Sequence, residues 1–367
     1  MMKVYYLSSS AFADNQINLL HHFPKEISVT YNVIIPVKNS NYSEEELSAY
    51  CLEKNIDFIP TRLRYRFRDP RLLITYYGIL ENIRRVDPDV IFVANFDQIY
   101  LNAILLALDK KKTIIAMHDV VNHSNTAFDK LTTLGKKLLI GKFDTFLTYS
   151  KPQAAILREK YGKKKVYSIP LPLIGFGDMP LIEKPAAKKT FLFFGFILHY
   201  KGLDLLLHAI NKLAEKRQDF QLIIAGRSAD WEEKYAPLIQ HPHLVSATIG
   251  FIENDDIPYY FALADYLVLP YRDTTQSGPL MIAYNYNIPV LASNAEGFHE
   301  FFQSGTTGYM FDLAKEGDMV RVLEEAIDRP EDEYRELKQK LAGHTEENFA
   351  ISRLVKAYVN MFKNTTS

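Results

Sequence analysis

Four short apolar runs between Phe191 and Asp312 constrain this chain more than anything else in it. They are Phe191–Gly195, Gln221–Gly226, Ala264–Pro270 and Ile288–Ala292, and each meets Gly, Ser or Pro near the point where a helical stretch begins. A strand that is apolar at nearly every position is buried on both faces. That is the condition of a parallel sheet sandwiched between helix layers. In such a sheet a ligand binds at the carboxyl edge, where the loops after the strands converge. Two loops here suit a phosphate. Lys201-Gly202 opens a helix after the first run, and Gln276-Ser277-Gly278 precedes a helix after the third.

The first half repeats the alternation. Strands are expected at Lys3–Leu7, Val29–Pro36, Ile56–Pro60, Asp89–Ala94, Thr113–Met117, Thr145–Thr148 and Lys165–Ile169. Helices are expected at Ala13–His22, Ser43–Lys54, Leu72–Val86, Gln98–Leu108, Thr126–Lys142 and Pro152–Tyr161. Ser43 with Glu46 three residues on has the spacing of a capping box. The pattern predicts an α/β protein with two doubly wound sheets. The first domain spans residues 1–173 and the second 174–345, joined near Ile174–Gly177 in a segment studded with Pro170, Pro172 and Pro180.

The 367 residues are enough for two such domains, and the 47% hydrophobic content supplies both cores. The formal net charge of −1 gives no whole-chain argument for nucleic acid, and no recognition motif is present. The charge is uneven, however. Residues 1–173 hold 24 Lys and Arg against 17 Asp and Glu, while residues 174–367 hold 19 against 27. A basic half suits an anionic surface or acceptor. The lone Cys51 excludes a disulfide framework and a cysteine-based zinc site, and fits a reducing compartment. Met1–Tyr6 runs into a strand without the pattern of a signal peptide, and no apolar run approaches the ~20 residues that cross a bilayer. A cytoplasmic protein, either soluble or peripheral on the inner face of the membrane, is the expectation. Ser8-Ser9-Ser10 follows the first strand where a dinucleotide-binding chain would carry Gly-x-Gly-x-x-Gly.

The second half resembles the nucleotide-binding half of the retaining GT-B glycosyltransferases of family four, the glycosyl transferases group 1. The resemblance rests on Phe194-Gly195 followed by Lys201-Gly202, on Gly250-Phe251-Ile252, Ala264-Asp265, Gln276-Ser277-Gly278, Pro289–Ala292 and Gly305–Gly308, in that order over more than 100 residues. In the first half only Met117-His118-Asp119 and Thr148-Tyr149-Ser150 serve as landmarks. The resemblance implies two Rossmann-like domains facing a central cleft, acceptor on the first and nucleotide sugar on the second. It also implies a C-terminal helix, residues ~346–367, packed back on the first domain. No metal and no cofactor beyond the nucleotide-sugar co-substrate are implied.

On this basis Lys201 is expected to neutralise the departing diphosphate, a role for a fixed ammonium. A cation at a helix start is otherwise disfavoured. Ser277 and Gly278, at a helix start, are expected to offer N–H groups to phosphate oxygens, and Ser277 is equally suited to a plain N-cap. Gly195, Phe196, Arg227, Ile252, Thr274 and Gln276 complete the expected donor set. Asp273 is the expected stand-in for a missing carboxylate. The family's paired glutamates fall on Thr274 and Ile282, and its arginine after the glycine is Phe196 here. Arg227 or Arg272 is positioned to replace the lost guanidinium.

In relatives a histidine at the strand end faces the donor sugar, which implies a catalytic role for His118. Its alternative is a His-Asp pair that closes a strand turn. Asp14, Asn15, Asp119 and His123 are the acceptor candidates, and Asn95–Asp97 lies at another strand end. The set His118, Asp119 and His123 lacks a further close partner for a metal. Arg62, Arg64, Arg66 and Arg68 alternate with apolar or aromatic residues. An anionic membrane, a lipid-linked diphosphate or plain solvation of an edge strand would each suit them. The expected activity is retaining transfer of a hexose or N-acetylhexosamine from a UDP-linked sugar to a surface polysaccharide or lipid-linked glycan. The alternatives are a weakened homologue that serves as a partner subunit, and a UDP-sugar epimerase on the same fold.

Overall fold

The computed structural model of the chain describes residues 1–38, 40–66, 69–95, 99–120, 127–183 and 188–366. The chain divides into two compact units, residues 1–172 with 351–367 and residues 173–350. Each is built on one all-parallel sheet. The fold class read from the alternation is therefore the fold observed: two Rossmann-like sheets flanked by helices.

In the first unit the strands are β1 (Met2–Ser9), β2 (Ile27–Ile35), β3 (Asp57–Arg62), β4 (Val90–Val93), β5 (Thr113–Met117), β6 (Thr145–Thr148) and β7 (Lys165–Ser168), in the order β3-β2-β1-β4-β5-β6-β7. The order reverses direction between β1 and β4, so the loops after those strands diverge and leave a crevice at the carboxyl edge. Asn95, just past β4, closes the floor of that edge. Its Oδ1 accepts the Ser9 N–H at 2.8 Å, and its Nδ2 donates to Ser9 Oγ at 3.1 Å.

Local chemistry explains the helices. Ser43 and Glu46 form the reciprocal capping box that starts the helix Glu44–Glu53. The helix Leu72–Val86 buries Leu72, Tyr76, Ile79, Leu80 and Ile83, one stripe at helical spacing. The last helix, Ile351–Thr366, belongs to this unit. It sets Tyr358 and Phe362 against Phe92 of β4, with ring centroids 5.8 and 6.0 Å apart. It also adds Arg353, Lys356 and Lys363, so the unit holds 27 Lys and Arg against 17 Asp and Glu. Residues 173–350 hold 16 against 27.

The second unit contains β8 (Lys189–Phe194), β9 (Phe220–Gly226), β10 (Val245–Ile249), β11 (Tyr266–Leu269), β12 (Val290–Ser293) and β13 (Gly308–Phe311), ordered β10-β9-β8-β11-β12-β13. Its reversal lies between β8 and β11. The four apolar runs are the four central strands β8, β9, β11 and β12. The edge strands β10 and β13 were not expected: β10 is Val-Ser-Ala-Thr-Ile with its middle exposed, and β13 is only four residues, Gly-Tyr-Met-Phe. Among the described residues no helix is long and apolar enough to cross a membrane.

Candidate functional site

The loops leaving β8, β9, β10 and β11 carry every residue expected to hold a donor. Gly195 and Phe196 follow β8, Arg227 follows β9, Ile252 follows β10, and Asp273 to Gly278 follow β11. They share one edge of the second sheet because parallel strands all end on the same side.

At the centre of that edge is Lys201. It ends a short 3-10 turn, His199–Lys201, and its side chain turns inward, leaving the residue only 7% exposed. Nζ lies 5.6 Å from the centroid of the Tyr271 ring. Among the described residues no carboxylate pairs with it. Burial alone pulls its pKa down from 10.5 to about 8. Gly195 lies against it in a backbone conformation that favours glycine. Its φ is +101°, and a Cβ there would stand 3.4 Å from Lys201 Nζ and 3.5 Å from Pro279. Gly202, at φ +68°, closes the turn where a Cβ would meet the Pro270 carbonyl at 2.0 Å.

Ser277 caps the helix Gly278–Asn285, its Oγ accepting the Leu280 N–H at 3.3 Å. Pro279 has no N–H, so of the first three helical positions only Gly278 keeps an uncommitted main-chain donor. Thr274 is buried with its hydroxyl donated to the Gln276 carbonyl at 2.8 Å. Asp273 is exposed, and Ile282, on that helix, is buried. Neither Thr274 nor Ile282 replaces the carboxylates that the family pattern carries at those positions.

The two arginines weighed as replacements for a guanidinium at position 196 part ways. The Arg227 guanidinium lies 5.6 Å from the Phe196 ring and 5.3 Å from the Phe251 ring, between two exposed aromatics. Arg272 is committed elsewhere. It makes a bidentate pair with Asp204, at 2.9 and 2.6 Å, and donates to the His199 carbonyl at 2.8 Å. Sequence reading missed Asp204, Tyr271 and Pro279. Asp204 and Arg272 are 68 residues apart, so no local signal joins them. Tyr271 follows directly on the Pro270 that ends a strand run, which is the one cue the sequence offered.

In the first unit, His118 leaves β5 and its ring lies between Phe12, at 4.5 Å, and Tyr149, at 4.6 Å. The Asp119 carbonyl accepts Lys136 Nζ at 2.9 Å. Asp14 opens the helix Asp14–Leu20, and its carboxylate accepts the Asn15 N–H at 2.8 Å and the Asn15 amide at 3.1 Å. Burial nevertheless raises its pKa to about 6, outweighing those donors. Asn15 is buried, with Oδ1 unpaired. His123, Phe96, Asp97 and Arg68 lie outside the described residues. Arg62, Arg64 and Arg66 are exposed, with Leu63 buried between them. Arg62 is bound bidentately by Glu44, so it is not available as the expectation had it. Among the described residues no group of three or more His, Cys, Asp or Glu is placed to hold a metal ion.

Residues 188–329 match the model of the family described as glycosyl transferases group 1. An uncharacterized glycosyltransferase of Haemophilus influenzae is 23% identical over 320 residues, covering 86% of this chain and 85% of that protein. Two solved structures share the fold. Sucrose-phosphate synthase from Thermosynechococcus elongatus superposes with a TM-score of 0.75 at 14% identity, covering 99% of each chain. Anabaena Alr3699/HepE in complex with UDP-glucose gives 0.73 at 12% identity, over 99% of this chain and 100% of that one.

Lys201 generates a stability prediction. Below pH ~8 the ammonium is charged in both folded and unfolded chains, and its full burial cost is present. Between about 8 and 10.5 the folded chain binds fewer protons than the unfolded one, so stability rises with pH. Lys201→Met should therefore be more stable than the wild type at pH 7, by up to roughly 3 kcal/mol. The gap should narrow as the pH approaches 10.5. Urea unfolding of both proteins between pH 7 and 10 measures it, and a less stable Met variant with a pH-independent gap contradicts the assignment.

Proposed function

We propose that this chain, a GT-B glycosyltransferase whose residues 188–329 form a glycosyl transferases group 1 domain, moves a sugar from a UDP-sugar to a glycan or lipid-linked acceptor with retention of anomeric configuration. The observation that carries the reading is the buried Lys201 ammonium, which no carboxylate partners among the described residues. A lone cation held out of water is costly. An anion that enters recovers that cost, and a diphosphate brings two phosphoryl groups. The fold neighbour solved with UDP-glucose supports the choice of nucleotide.

In the proposed reaction the bond between the anomeric carbon and the β-phosphate oxygen breaks. The acceptor hydroxyl oxygen forms the new bond on the same face, and its proton passes to the departing phosphate. Lys201 and the Gly278 N–H stabilise the charge that builds on that phosphate. Arg227, steadied by Phe196 and Phe251, supplies the guanidinium that position 196 lacks. Asp14, Asn15, His118 and Asp119 are assigned to the acceptor side.

The acceptor is proposed to lie at an anionic membrane. Support comes from the excess of cations in the first unit and from one helix face. On Leu72–Val86, Leu73, Ile74, Tyr77, Arg84 and Arg85 are all exposed, Ile74 by 78%. They recur at helical spacing, apolar groups toward one end and the two cations toward the other, with exposed Glu81 on the same face. That pattern suits an interfacial helix.

A second reading, a binding subunit without turnover, is favoured by the committed hydroxyl of Thr274 and the buried Ile282. Incubation with UDP-sugars, read by proton NMR, separates the readings. Released sugar or product supports a transferase, an inverted ring carbon supports an epimerase, and unchanged donor that binds supports the subunit. Lys201→Ala should lower turnover by about 10²-fold or more while the protein stays folded. Wild-type rates in that variant reject its role. Sedimentation with vesicles should show binding to anionic but not neutral lipid, weakened by Ile74→Asp. Equal binding to both, or to neither, counts against the membrane contact.

A further inference from the structure

The turn that carries Lys201 is held from one side by the exit of β11. The Arg272 N–H donates to the Tyr200 carbonyl at 2.7 Å, and its guanidinium donates to the His199 carbonyl at 2.8 Å. The same guanidinium grips both oxygens of Asp204, in the first turn of the helix Leu203–Ala214. Pro270 presses its carbonyl against Gly202, and Tyr271 sets its ring edge-on to Tyr200, with centroids 6.0 Å apart. Three consecutive residues after β11 thus fix a turn that belongs to β8, across the point where the strand order reverses.

We propose that Arg272 and Asp204 are positioning residues that lock the His199–Lys201 turn and so hold the Lys201 ammonium inward, where a diphosphate can meet it. The link to diphosphate binding rests on the proposed function; the lock itself does not.

The geometry favours a lock over an ordinary surface pair. Arg272 spends its fork on both a carboxylate and a main-chain carbonyl, a fixed planar arrangement that lysine cannot copy. The pair is also internally neutral, so it holds the turn without adding net charge beside Lys201. Burial works to raise the Asp204 pKa, yet the Arg272 contacts bring it below its usual value, so the pair stays ionised at neutral pH. Other groups around the turn are Tyr200 and His199 on it, Tyr271 after β11, Ser277 at the neighbouring helix start, and Tyr235, which faces the Arg272–Asp204 pair. None of these carries a carboxylate that would anchor the ammonium in place of the lock.

The experiment is a titration of the Lys201 Cε resonance in the ligand-free, full-length protein, assigned by comparison with Lys201→Arg. It is repeated in Arg272→Lys and Asp204→Asn. If the lock holds the ammonium out of water, the wild-type midpoint lies near 8, and both variants move it upward by about one pH unit or more as the side chain swings into solvent. UDP affinity then falls about tenfold in each, from lost preorganisation. A midpoint unmoved in both variants overturns the inference, even if their melting temperatures drop. Two variants are used because either alone is open to local rearrangement. The two claims fail separately. Wild-type protein that ignores UDP but shows the shifted midpoints sinks the proposed function only. Wild-type protein that binds UDP with midpoints unmoved by the variants sinks the lock only.

Discussion

The structure of the second unit turns on a lysine kept from water, with no carboxylate partner among the described residues. A drop in pKa from 10.5 to about 8 corresponds to roughly 3 kcal/mol of unfavourable burial. That is a sizeable fraction of the 5–15 kcal/mol typical of a folded domain. Several surrounding features serve to hold it there. Gly195 takes the left-handed φ that the loop beside the ammonium requires, Gly202 lets the turn close against Pro270, and the Arg272–Asp204 pair holds the turn down. Each is inexpensive alone, and together they keep an uncompensated charge in a sheet edge whose geometry suits an anionic ligand.

The same logic separates the two arginines of that edge. Arg272 has carboxylate and carbonyl partners, so its charge is already answered. Arg227 rests between the Phe196 and Phe251 rings. On the proposed function, Arg227 is the group that answers the missing arginine at position 196. Phe196 no longer supplies a charge, but it steadies one that comes from the next strand. The missing carboxylates at 274 and 282 have no such answer. Thr274 is turned to its own loop, and Ile282 is part of the core.

Much of this was legible in the sequence, for physical reasons. Buried parallel strands must be apolar throughout, so the central strands of the second sheet were visible as runs, and the fold class followed from their alternation with helices. A glycine at a strand end and a Lys-Gly at a helix start lie on one short loop, which brings Gly195 and Lys201 near each other. What escaped was non-local or exposed. The edge strand Val245–Ile249 has no apolar run to betray it. The contact between Asp204 and Arg272 joins two crossovers of the sheet, and nothing near either residue announces the other. The stacking of His118 between Phe12 and Tyr149 likewise joins the ends of three strands. The alternation of arginines from 62 to 66 was readable, yet the capture of Arg62 by Glu44 was not, because Glu44 reads only as a helix-start acid.

The central claim is that the buried ammonium is the countercharge of a bound diphosphate, and proton linkage tests it directly. Calorimetry of UDP binding at pH 8.5, run in buffers of different ionisation enthalpy, counts the protons exchanged on binding. An ammonium that is mostly neutral in the free protein and fully charged beside a diphosphate must take up most of one proton per UDP bound, and Lys201→Met must take up none. Tight binding with no proton uptake, the same in both proteins, would mean that UDP sits elsewhere.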